Sequence, residues 1–64
     1  MKRNQLIKHL NETGCLFFRE GSNHTIYYNP KTNKIAPIPR HNEIKDTFCN
    51  EICKQLGVPK IKLM

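Results

Sequence analysis

The chain has 64 residues, with 11 Lys and Arg against 5 Asp and Glu, a net charge of +6. A domain of this length buries only about 60% of the surface its unfolded chain exposes. That excludes two lobes around a cleft and a large cofactor pocket, so any activity must sit on an exposed face or groove. The basic excess points to a polyanion or an acidic protein as partner. The cations are scattered rather than run together, which argues for one folded domain over residues 1–64 and against a basic tail.

The first element reads as a helix. Leu6, Ile7 and Leu10 fall on one stripe, with Asn4, Lys8, Asn11 and Glu12 elsewhere. Gly14 ends it, since glycine readily takes the left-handed conformation that closes a helix. Cys15 to Arg19 is apolar and aromatic and suits a buried strand. Glu20-Gly21-Ser22-Asn23 has turn composition. His24 to Tyr28 is a second strand, and Asn29 to Asn33 a second turn. Lys34 to Pro39 is a shorter third strand. Pro37 cannot donate to a ladder, so this strand should lie at a sheet edge or stop early.

The last element is a helix. Ile44, Phe48, Ile52 and Leu56 recur every four residues, and Cys49 and Cys53 widen the stripe. Asp46 is the expected N-cap, with Asn42 as its rival. Gly57 and Pro59 stop it. No partner is assigned to the tail Lys60–Met64. The order α-β-β-β-α, with one apolar stripe per helix, gives an α+β fold. Both helices pack on one face of a three-stranded antiparallel sheet, and the other face stays open. Double-stranded RNA-binding domains share this layout.

The three cysteines are an odd count. No signal-like apolar run opens the chain, and nothing approaches the roughly 18 apolar residues of a membrane span. Free, packed thiols in a reducing cytoplasm are the expectation, with no membrane partner. Cys49 and Cys53 lie one helical turn apart, but no second pair of zinc ligands accompanies them, so no metal site is expected.

Three histidines remain for chemistry. His9 lies beside the first helix's apolar stripe and reads as structural or surface. His24 opens the second strand directly after the Gly21-Ser22-Asn23 turn. Strand parity puts it with Ile26 and Tyr28, opposite Thr25 and Tyr27. A core Tyr27 turns His24 outward, whereas a core Ile26 buries it at the rim. His41 follows Arg40, and such a pair either suits a phosphate, because arginine offers a two-pronged donor and histidine a further one, or is plain surface at the entry to the last helix. Phosphate loops, His-Glu-x-x-His and paired carboxylates are missing. What remains is imidazole chemistry on a basic surface. RNA fits it, since RNA carries its own nucleophile in the 2′-hydroxyl.

Asn4-Gln5-Leu6-Ile7-Lys8-His9-Leu10 ending at Gly14, and Phe18-Arg19-Glu20-Gly21-Ser22-Asn23-His24 followed by the aromatic strand and Asn29-Pro30, together resemble motifs of the HicA family of toxins. Ile38 to Ile44 and Ile52 to Val58 resemble the family's closing half, so the likeness spans residues 2 to about 58. The resemblance implies a metal-independent endoribonuclease that cleaves mRNA, needs no cofactor and is inhibited by a HicB-like antitoxin. It implies that His24 is catalytic and faces outward. Arg19, Ser22, Lys31, Lys34, Arg40 and His41 are then the expected RNA-binding residues. One departure is the lone His24 behind Asn23, where relatives often carry two neighbouring histidines. Asp46-Thr47 also stands where many relatives have Gly-Thr. A non-catalytic module that binds RNA or a partner protein is the alternative.

Overall fold

A helix, three antiparallel strands and a second helix follow one another along residues 1–61, the part of the chain described by the computed structural model. They are α1 (Arg3–Glu12), β1 (Leu16–Glu20), β2 (His24–Asn29), β3 (Lys34–Pro39) and α2 (Asp46–Leu56). The strands are ordered β1-β2-β3. β3 is therefore an edge, where Pro37 interrupts no second ladder.

α1 buries Leu6 and Leu10, one turn apart, with Ile7 packed beside them. No side chain caps its start. Lys2 instead bridges Glu43, and the Arg3 N–H donates to the Asn42 carbonyl at 2.9 Å. The two helices end alike. Cys15 N–H reaches the Leu10 carbonyl at 2.8 Å and Val58 N–H the Cys53 carbonyl at 3.0 Å. Gly14 and Gly57, with φ of +95° and +73°, make the left-handed step that these closing bonds require.

The core lies between the helices and one face of the sheet. Leu6, Leu10, Ile52 and Leu56 from the helices meet Tyr27, Ala36 and Ile38 from the strands, with Cys15, Cys49 and Cys53 filling gaps. The sheet's covered face also holds Asn29. Its side-chain amide donates to the Leu56 carbonyl at 2.8 Å, and its oxygen accepts from Lys31 N–H at 2.9 Å. The β2–β3 turn is thereby tied to the end of α2, and Asn33 closes that turn at φ +57°.

Three expectations are corrected. β1 is not buried: all five of its residues are exposed, since α2 lies over β3 and leaves the far edge uncovered. Asp46 does not cap α2. It is the first helical residue, Lys45 takes the cap position, and the Asp46 carboxylate accepts instead from the Met1 ammonium at 3.2 Å. Asn42 is no cap either; its carbonyl accepts from Arg3. Phe48 leaves the stripe and is 41% exposed, so Cys49, Ile52, Cys53 and Leu56 carry the packing. The tail is tied at its start, because His9 Nε2 donates to the Pro59 carbonyl at 2.7 Å and Ile61 packs on the core. Residues 62–64 lie outside the described residues.

Candidate functional site

The parity of β2 decides where His24 points. Thr25, Tyr27 and Asn29 are buried, at 4%, 7% and 3% exposure. Alternation then turns His24, Ile26 and Tyr28 to the open face, and His24 is exposed. It pairs with Pro39 across the ladder. Asn23, His24, Pro39, Arg40 and His41 line one shallow depression at this end of the sheet. Among the described residues neither imidazole has a hydrogen-bond partner, so both are available to a ligand.

A clamp of polar side chains fixes this strand end. Arg40 Nη2 donates to Glu20 Oε1 at 2.7 Å and also to the Gly21 carbonyl, while Nη1 reaches the Ser22 carbonyl at 3.2 Å. Thr25 Oγ1 donates to the same Glu20 oxygen at 3.0 Å and accepts from Arg3 Nη2 at 2.9 Å. Arg3 Nε donates to the Pro39 carbonyl at 2.8 Å. The turn before His24 is thus held by groups from β1, β2, α1 and the segment after β3. Sequence reading missed Glu20, Thr25 and Arg3, whose partners lie 5 to 36 residues away along the chain.

The Arg40 guanidinium, and then the Thr25 hydroxyl, hold the Glu20 carboxyl below its ordinary value of 4.5. A depressed carboxyl adds stability that is complete above that ordinary value. The contribution is lost as pH falls through the lowered folded value. The amide resonances of residues 21–24 are therefore expected to move together in acid, with a midpoint below 4.5, and Glu20→Gln should abolish that transition. A midpoint at or above the ordinary value would mean that the clamp does not form in solution.

The other expected site residues divide by position. Arg19 lies opposite Ile26 on the open face, diagonally beside His24, at a spacing of roughly 7–8 Å between backbones. Ser22 is exposed in the clamped turn. Lys31 and Lys34 flank the opposite turn, roughly 16 Å from His24 at ~3.3 Å per strand residue. The cysteines take no part: all three are free and buried, and burial pushes their thiols up, away from the reactive thiolate. Among the described residues no three His, Cys, Asp or Glu side chains gather as a metal site would require, and no helix is long and apolar enough to cross a membrane.

The family model described as HicA toxin of bacterial toxin–antitoxin matches residues 3–58. No curated protein and no solved structure matches the chain.

Proposed function

The chain belongs to the HicA toxin family of bacterial toxin–antitoxin systems, and from that premise we propose that it is an mRNA-cleaving endoribonuclease with His24 as its catalytic residue. The observation that carries this reading is the position of His24. It is an exposed imidazole on the open sheet face, at a clamped strand end, sharing a depression with Arg40 and His41. A rigid frame around a free imidazole is what proton transfer to a bound substrate needs.

In the proposed reaction His24 removes the proton of a 2′-hydroxyl. The O2′–phosphorus bond forms, the phosphorus–O5′ bond breaks, and O5′ departs with a proton. The products are a 2′,3′-cyclic phosphate and a 5′-hydroxyl. His41 is the candidate for the second proton, and Arg19 for the charge that gathers on the phosphate. Arg40 and Ser22 act at the turn, and Lys31 and Lys34 hold phosphates further along the strand. Because the nucleophile belongs to the substrate, this route calls for neither metal nor cofactor. A HicB-like antitoxin is the proposed inhibitor, and the cytoplasm, where mRNA is found, the site of action.

The test is incubation of a labelled transcript with the purified protein in the presence of EDTA. Cleavage that continues and leaves 2′,3′-cyclic phosphate ends is expected. Cleavage abolished by EDTA would overturn the metal-independent route. RNA that is bound but left intact would make the chain a binding module.

A further inference from the structure

The face that carries His24 also carries several large apolar side chains, which the cleavage chemistry does not use. A bulge between Phe17 and Arg19 inserts Phe18 as an extra residue in β1. The bulge turns two successive side chains, Phe18 and Arg19, toward the open face. The Phe18 ring meets Tyr28 edge-on, with centroids 5.6 Å apart, and stays 53% exposed. Leu16 and Ile35 flank Tyr28 in the ladders, at 49% and 57% exposure. An exposed cluster of large apolar side chains on so small a domain marks a binding surface.

Charge decides what it binds. The basic side chains of this face are Arg19 and His24, and among the described residues no carboxylate shares it. Glu20 sits on the opposite parity with Thr25, and the other acids belong to α1, α2 and the segment before α2. Lys31 and Lys34 bracket the aromatic end, while Arg19 and His41 lie at the histidine end, where Arg40 is already paired with Glu20. Apolar rings in the middle with cations at both ends match a single polynucleotide strand, bases down and phosphates at the margins. An A-form duplex presents its backbone and 2′-hydroxyls and keeps its base faces stacked, so it cannot use exposed rings.

Resting on the ribonuclease reading above, we propose that the open sheet face binds single-stranded RNA, with an unstacked base seated on Phe18 and Tyr28. Tyr28 is four residues from His24, roughly 13 Å along the strand at ~3.3 Å per residue. The stacked base therefore belongs to a nucleotide beside the cleaved one. It acts as an anchor that sets which phosphate reaches His24.

The probe is a fluorescein-labelled 2′-O-methyl oligonucleotide, in which the nucleophile is blocked, used as a single strand and annealed to its complement. Wild type is expected to bind the single strand more tightly than the duplex. Phe18→Ala should weaken single-strand binding about tenfold and leave the duplex value unchanged. Phe18→Trp should restore binding, and its indole fluorescence, the only one in a chain without tryptophan, should be quenched by the oligonucleotide. Unchanged single-strand binding by Phe18→Ala, or a wild-type preference for the duplex, would overturn the proposal. Unchanged RNA binding together with loss of antitoxin capture would overturn it too, and would give the face to a protein. If unmodified RNA stays intact while binding depends on Phe18, the ribonuclease reading fails and this proposal stands. If RNA is cut and Phe18→Ala binds like wild type, this proposal alone fails.

Discussion

Replacing His24 by alanine is expected to lower RNA cleavage by about 10²- to 10⁴-fold, the usual contribution of a positioned proton-transfer group. Growth arrest on induction should disappear with it. Stability should stay within about 0.5 kcal/mol of wild type, because the ring is exposed and its loss leaves neither a cavity nor an orphaned partner. Affinity for an uncleavable RNA should change little, since the aromatic rings, Arg19 and the flanking lysines remain. A further variant, His41→Ala, separates the two imidazoles that share the depression. It should cut more slowly than wild type but faster than His24→Ala. Growth arrest by the His24→Ala protein at wild-type strength would refute the catalytic assignment. Equal losses in the two variants would make the histidines a pair acting as a unit.

The sequence made the order of elements legible because its punctuation is strong. Gly14, Gly57 and Pro59 end helices, and Pro37 pushed its strand to an edge. The facing of His24 was a different matter. Ile26 and Tyr27 are both credible core residues, and alternation alone cannot choose between them. Packing decides: Tyr27 and Thr25 go under the helices and take His24 to the open side. The resemblance to the toxin family implies the same facing. β1 was misread for a related reason. Apolar residues state a demand for cover, but whether cover exists depends on where α2 crosses, and it crosses over β3. The bulge that presents Phe18 was equally hidden, since a one-residue slip between strands leaves no compositional mark. The clamp of Arg3, Thr25, Glu20 and Arg40 joins four separate segments and has no local pattern to read. The capping of α2 was misplaced by one residue because a carboxylate near a helix start serves equally well in the first turn.

Function can also be lost with His24 untouched, and the second large effect lies there. Ile52 is fully buried on α2, packed among the helix and sheet residues of the core. Ile52→Ala is expected to cost about 2–5 kcal/mol, the transfer term plus the cavity left behind. A domain of 64 residues has only about 3–10 kcal/mol of net stability at 0.05–0.15 kcal/mol per residue. The variant should therefore melt at least ~10 °C lower, and a sizeable fraction of it should be unfolded at growth temperature. Toxicity would fall here too, but with a different signature. The Ile52→Ala protein should lose helical circular dichroism on mild heating, and bound antitoxin should restore it, because a partner that binds only the folded state stabilises that state by mass action. His24→Ala should melt like wild type, with its helical signal already intact before antitoxin is added. An Ile52→Ala protein that melts within a degree or two of wild type would place the core somewhere other than between α2 and the sheet. The face on which His24 is displayed would then have to be assigned anew.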